Sequence, residues 1–480
     1  MVRRGVLALA VIAGCGSVDD RARGDGGAGA DAGRTDGGDG DGGPPPPPCD
    51  PDERPDESDG VFVSPTGAPT NDGSAATPVD SIEAAIVIAR TVGRTRVYLD
   101  AGTYAESVQI EDSPEGVFVE GGWRSEGISW SRNCDPDAAL QTVIRSPDPV
   151  AVTFQDVTHP SGLSLLTVQT APRALKPGAD TAGGSRIAVL VRGEGSSVRL
   201  LGVQLLPAAG DHGGPATAGT AGAAPACGGR VDCSNGAAGT PGAAGADAPG
   251  TGTFDARGYG PVDGEAGVGA GTDGANGTGG DAANQSRSDC NTGCSCGTCT
   301  TSWSGSDYNG TETSTGGSCG CGGKAGGPGA AGRGGGASVA LLVVGKNATV
   351  DVQNSLLRSG DGGDGSPGGV GGTGSEGTAG GASTDVRCHR MDCIGGCGGG
   401  DCSYNPVDPA PLIDAANGGS GGRGGDGGAG GGGAGGPSYS VVTVGGARIV
   451  RSESVLAHGD GGAGGNGAPG GASGETLDAL

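Results

Sequence analysis

Aromatic residues are nearly missing from this chain: 3 Trp, 6 Tyr and 4 Phe among 480 residues. So few large rings argue against one broad conventional core. Basic residues are also sparse. Lys and Arg total 29 against 54 acidic residues, a net charge of −25. The basic residues are scattered, whereas phosphate neutralisation needs them clustered, so nucleic acid is not the expected partner. The four histidines, His159, His212, His389 and His458, stand in no Ser-His-Asp or HExxH setting, and no GxxxxGK[ST] loop occurs. The longest apolar run near the start, Val6 to Ala13, is too short for a permanent membrane span. What the chain has instead is glycine, at 111 positions, and fifteen cysteines.

Arg3 and Arg4, then Val6–Ala13, then Ile12-Ala13-Gly14-Cys15 follow the order charge, apolar run, small-small-Cys. This order resembles the lipobox of bacterial lipoproteins. The resemblance implies a signal peptide over 1–14, lipid on the Cys15 thiol and a membrane partner through that anchor. Gly16 follows the cysteine rather than an aspartate, which favours an outer-membrane or cell-surface address. Residues 15–60 carry Pro44 to Pro48 and thirteen acidic against four basic side chains from 16 onward, with almost nothing bulky and apolar. They read as a disordered tether.

Without Cys15, fourteen cysteines remain, an even number in an exported chain, and they fall into local groups. These are Cys227 and Cys233; Cys290, Cys294, Cys296, Cys299, Cys319 and Cys321; Cys388, Cys393, Cys397 and Cys402; and the leftover pair Cys49 and Cys134. Disulfides are the expected use, with connectivity open. Cys296-x-x-Cys299 alone is too little for a zinc site, which takes paired CxxC units.

Residues 61–206 are the most structured passage. Asp80 stands three before Glu83, and Ile82, Ala85, Ile86 and Ala89 recur at helical spacing up to Gly93. Strands follow at Arg96–Asp100, 107–110, 117–120, 142–144, 150–154, 163–170, 187–192 and 198–206, with period-2 alternation such as Val97/Leu99 and Val108/Ile110. The series Phe62-Val63-Ser64-Pro65-x-Gly67, Asn71-x-Gly73, Pro78-x-x-Ser81-Ile82-x-x-Ala85-Ile86 and Val97-Tyr98-Leu99-x-x-Gly102-Thr103-Tyr104-x-Glu106 resembles the opening of the DUF1565 group. So does the turn Gly121-Gly122-Trp123. That resemblance, over about residues 61–125, implies an all-β right-handed parallel β-helix whose helix caps the first coil.

An internal repeat supports it. IAVLVRGEGSSVRLLGVQLLPAAGDHGG (187–214), VALLVVGKNATVDVQNSLLRSGDGG (339–363) and SVVTVGGARIVRSESVLAHGDGG (440–462) share strand, turn, strand, turn and a step into Gly-Asp. The expected organisation is therefore a capped β-helix over 61–206, coils at 338–358 and 438–458, Gly/Cys-rich inserts at 207–337 and 359–437, and a Gly-rich tail at 459–480. The inserts resemble the PGRS-like regions of bacterial surface proteins, and their triplets recur without strict period. Collagen does not fit. Gly362-Gly363-Asp364-Gly365 is only a fragment of a calcium repeat, so no cofactor is expected beyond weak calcium. Order and disorder of the glycines stay open at this stage.

For chemistry, Asp100, Glu106, Glu111 and Glu120 would project from successive strands, the carboxylate set a polysaccharide lyase or hydrolase needs. Solvated strand-face roles suit them better. Trp123 and Trp130 read as corner packing before a sugar platform. The expectation is a lipid-anchored surface protein with a structural, adhesive or glycan-binding role, its partners glycans or extracellular matrix. The alternative is an enzyme of pectate-lyase-like fold.

Overall fold

Apolar side chains that alternate along short strands, Val97 with Leu99 and Val108 with Ile110, are all fully buried in one core. The computed structural model describes residues 49–135, 137–172, 181–225, 235–277, 316–383 and 416–479, with the backbone of six short strands between 284 and 413. The expected signal peptide, Cys15 and most of the expected tether therefore lie outside the described residues. The fold takes in the chain from Cys49, earlier than the tether's expected end at 60. The Cys49–Cys134 disulfide closes a loop of 85 residues there. The Asp59 carboxylate also accepts from the Thr95 amide at 2.7 Å.

In chain order, β1 (Gly60–Val63) and helix α1 (Ile82–Val92) precede β2 (Arg96–Asp100), β3 (Gly102–Tyr104) and β4 (Val108–Glu111). Next come β5 (Phe118–Glu126), β6 (Ser129–Arg132), the short α2 (Ala138–Gln141), β7 (Thr142–Ser146) and β8 (Val150–Gln155). Then follow β9 (Ser161–Ser164), β10 (Thr167–Thr170), β11 (Arg186–Arg192), β12 (Ser197–Leu201) and β13 (Gln204–Leu206). β14 (Thr253–Asp255) and β15 (Gly258–Gly260) form a hairpin, as do β16 (Asn284–Ser286) and β17 (Thr311–Thr313). After β18 (Ser338–Val344), β19 (Thr349–Gln353) and β20 (Leu356–Arg358) come β21 (Val386–Arg387), β22 (Arg390–Ile394), β23 (Ser403–Val407) and β24 (Leu412–Ile413). The chain closes with β25 (Ser438–Val444), β26 (Arg448–Ser452), β27 (Val455–Ala457) and β28 (Ser473–Ala479).

The strands collect into three sheets that the chain visits in a fixed order. The first holds β1-β2-β5-β9-β12-β19-β26, the second β3-β7-β10-β13-β20-β27 and the third β4-β8-β11-β18-β25-β28. Neighbours along each path are parallel, and only β6 joins antiparallel, against β5. The molecule is thus all-β, with six circuits through three parallel sheets, and each circuit stacks in register on the last: Ile187 on Val150, Val339 on Ile187, Tyr439 on Val339. Strands buried by stacking on both sides suit the near-continuous apolar runs of β11 and β18.

Two expected long strands break in the middle. Residues 163–170 and 198–206 each cross a corner, so β9 and β10, and likewise β12 and β13, belong to different sheets. The break falls at Leu165 (φ 49°) and Gly202 (φ 60°), and the same left-handed step recurs at Asn354 and Glu453 in later circuits. Helix α1 matches its expected span and closes on Gly93 in the left-handed conformation. Its buried residues, Ile82, Ala85, Ile86 and Ala89, join the core of β1 and β2. Its N-cap is Ser81 rather than Asp80, and the Glu106 carboxylate, not Glu83, accepts from the Ile82 and Glu83 amides.

The described glycine-rich stretches form hydrogen-bonded segments, one of the two alternatives that the sequence left open. Every insert leaves after a second-sheet strand and returns into a third-sheet strand, so all emerge at one corner. They run as eight extended segments: I (207–225), II (235–249), III (262–277), IV (316–337), V (360–383), VI (416–437), VII (459–466) and VIII (467–472). Amides of Gly320, Gly323, Gly326, Gly329 and Gly332 in segment IV donate to the carbonyls of Gly419, Gly422, Gly425, Gly428 and Gly431 in segment VI, at 2.7 to 3.0 Å. A hydrogen bond every third residue is the repeat of the polyproline II helix, which makes none internally and leaves its backbone for neighbours. The expected tail 459–480 likewise holds segments VII and VIII and the closing strand β28.

Segment VI lies at the centre. It exchanges backbone hydrogen bonds with II through Gly239, with III through Gly425, with IV through Gly326, with V through Gly424, with VII through Gly462 and with VIII through Gly435. A three-residue period therefore exists, with one phase shift. It is hidden because the side-chain-bearing third slot varies, and because an extra residue shifts the phase of segment III between Gly267 and Gly271, absorbed at Gly269 (φ 80°).

Candidate functional site

The carboxylates that sequence placed on successive strands are all committed to their own structure. Asp100 accepts from the Ser64 hydroxyl and from the Ser125 amide and hydroxyl. Glu106 accepts from the Ser81 hydroxyl as well as from the helix amides. Glu111 pairs with Arg90 at 3.1 Å, and Glu120 pairs with Arg96, whose guanidinium also lies over the Phe118 ring. These four do not converge on one reacting centre; each holds a strand, a turn or a helix end.

Trp123 and Trp130 are both buried, in an aromatic cluster with Phe62 and Tyr98 outside the first sheet. Ring centroids 4.9 to 5.4 Å apart and the Trp130 indole N–H donating to the Ala75 carbonyl fix that cluster. This is corner packing; neither ring offers a face to a sugar.

His159 lies beside Asp112, whose carboxylate accepts from the Thr158 and His159 amides. Burial would raise the Asp112 carboxyl, but these hydrogen bonds prevail and hold it at about 2. His212 accepts from the Asp364 amide at 2.9 Å, and His458 touches only its own turn. His389 lies outside the described residues. Two aspartates after glycine in segment V are occupied as well. Asp361 accepts from the Asp460 amide and Asp364 from the Ala463 amide, so the calcium-repeat fragment serves as a stitch between segments V and VII. Among the described residues no group of three metal-ligating side chains occurs.

Sequence reasoning missed those stitches. Asp263, Asp273 and Asn276 in segment III accept from the Gly334, Ala325 and Gly322 amides of segment IV. Ser366, Ser375 and Thr378 in segment V take the Arg333, Lys324 and Cys321 amides. Each satisfies a backbone donor of segment IV. The signal was present: Asp, Asn, Ser or Thr recur in phase with the glycines. Also missed was the bolt between sheets and segments. Arg186 at the start of β11 and Asp211 in segment I are both buried and joined at 3.0 Å. A ladder of Arg186, Ser338, Ser438 and Ser473 runs down the same corner.

Segments I, III and V run away from the sheets, and II, IV and VI run back. Asn235 bonds to Ser420, Gly277 to Gly320, Ser383 to Asn417 and Gly317 to Ala416, so the outer ends of segments II to VI lie side by side. The connections between them hold Cys227, Cys233, Cys290, Cys294, Cys296, Cys299, Cys388, Cys397 and Cys402, all outside the described residues; of Cys393 only the backbone, on β22, is described. Cys319 and Cys321, at the outer end of segment IV, are disulfide-bonded. The hairpin β14–β15 sits at the other end, where Phe254 and Tyr259 pack with Ile187, Leu190 and Tyr439 on the third sheet. No family model matches the chain, and no curated protein or solved structure is similar to it.

Proposed function

We propose that this chain is a right-handed parallel β-helix anchored to the bacterial cell surface through lipid on Cys15, with a structural and adhesive role toward glycans or extracellular matrix. The observation that carries the reading is the glycine array. A hydrogen-bonded bundle of extended segments that leaves one corner of the sheets is a rigid spacer. Three parallel sheets visited in fixed order, with an amphipathic helix at the first circuit, support the β-helix and the likeness to the DUF1565 group. Against the lyase reading stands the commitment of Asp100, Glu106, Glu111 and Glu120 to separate structural partners.

The test is a glycan array and a matrix-binding assay on purified protein, with polysaccharide cleavage followed on the same sample. Binding without cleavage is the expected result. Turnover of any polysaccharide would overturn the assignment in favour of an enzyme, and a chain that binds neither glycans nor matrix would remove the adhesive role.

A further inference from the structure

We infer that Asn466–Gly467 is a site of spontaneous covalent modification, where the Asn466 amide converts to aspartate or isoaspartate. Four Asn-Gly pairs lie among the described residues, at 235–236, 276–277, 417–418 and 466–467. Conversion begins when the glycine nitrogen attacks the asparagine Cγ, so it needs a free glycine amide and a side chain able to turn back onto it.

Three pairs are locked on both counts. The Gly236, Gly277 and Gly418 amides donate to the carbonyls of Ser420, Gly320 and Gly381 at 2.9 to 3.0 Å. Their asparagine Oδ1 atoms accept from the Ser420, Gly322 and Ser383 amides at 2.8 to 3.0 Å, which holds each side chain away from its own glycine. The fourth pair is the turn between segments VII and VIII. Asn466 and Gly467 are both exposed, Asn466 has φ 52°, and the turn closes from the Ala468 amide to the Gly465 carbonyl. The Gly467 amide has no acceptor among the described residues, and the Asn466 side chain makes one long contact, 3.4 Å from Nδ2 to the Gly430 carbonyl.

In the first step the Gly467 nitrogen bonds to Cγ, the Cγ–Nδ2 bond breaks, and the side-chain nitrogen leaves as ammonia carrying the glycine proton. Solvent water then opens the five-membered imide at either carbonyl, giving aspartate or isoaspartate and one proton. The new carboxylate arises beside Asp247, whose Oδ2 faces Gly467 while its Oδ1 holds the Gly432 amide. Like charge there opposes seating of the VII–VIII hairpin on segment VI.

Peptide mass mapping after timed incubation of the full chain in mildly alkaline buffer tests this. Asn466 is expected to convert at least about tenfold faster than Asn235, Asn276 and Asn417, because those need local opening first. Gly467→Ala, which crowds the attacking nitrogen, should erase that lead. Conversion of any locked pair at a comparable rate, or an Asn466 that stays amide throughout, would overturn the assignment. Hydrogen exchange of residues 459–472 in Asn466→Asp reads the consequence: faster exchange supports the loosening, and unchanged exchange refutes it.

Discussion

At the scale of single residues, glycine here works by what it lacks. The array glycines have ordinary negative φ, apart from Gly269, so left-handed freedom is not why they are needed. A Cβ on Gly424 would instead drive into the Lys324 carbonyl, and one on Gly421 into that of Cys321. Backbone has nowhere to move in such a lattice. Gly424→Ala should therefore cost about 2 kcal/mol or more, as overpacking does. Gly250 has open space around it and no positive φ, so Gly250→Ala should be neutral or stabilise by about 0.5 kcal/mol through the unfolded chain. Thermal unfolding of the two variants side by side checks the pair; equal losses would contradict the lattice argument.

At the scale of elements, the number of glycines per triplet tells how many sides of a segment are covered. Segment VI shows the rule within itself. Its third slot reads Ser420, Arg423, Asp426 and Ala429 where only II, III, IV and V adjoin it, and the first, second and fourth of these are exposed. It turns to Gly432 and Gly435, both buried, where VII sits, and a Cβ there would meet the Gly465 and Gly462 carbonyls. Gly432→Ser should accordingly dislodge the VII–VIII hairpin and raise hydrogen exchange over 459–472, while the circuits stay protected. Unchanged exchange would show that a side chain fits the slot. The same rule explains what was legible in the sequence and what was not. Strand and helix periods survive in single windows, so α1, β2 and the boundaries at 338 and 438 could be read directly. The corner breaks at Leu165 and Gly202 could not, because no turn residue marks the first of them. The glycine period was concealed by its own composition: when two slots of three hold the same residue, the glycines alone do not mark the phase, and the partners that do lie far along the chain, as Gly323 to Gly422. The carboxylates were read as a group because they recur along the chain, but Glu106 and Glu111 each turn to α1, which local spacing does not show.

At the scale of the whole molecule, stacked circuits raise the problem of where stacking stops. The sixth circuit offers the free edges of β26, β27 and β28, and open edges of parallel strands invite further pairing. Side chains at core positions change character there. Arg451 stands in register on Val352, a fully buried core residue, and Asp478 stands on Thr443, which itself stands on buried Val343. Both charges are exposed, at positions that the fifth circuit fills with Val352 and Thr443. An inward-pointing charge forbids another strand from stacking above it, since that would bury the charge unpaired at a cost of several kcal/mol. The exposed Val450 and Val455 on the same edge, 57% and 61% accessible, lie outside this protection and supply apolar area once it is removed. Restoring the earlier residues with Arg451→Val and Asp478→Val should therefore let circuits of different molecules meet edge to edge. Light scattering behind size exclusion should show dimers or larger species for the double variant where the parent is smaller, with unchanged circular dichroism in the strand region. A double variant that keeps the parent's mass at high concentration would mean that edge geometry, and not these two charges, ends the stack.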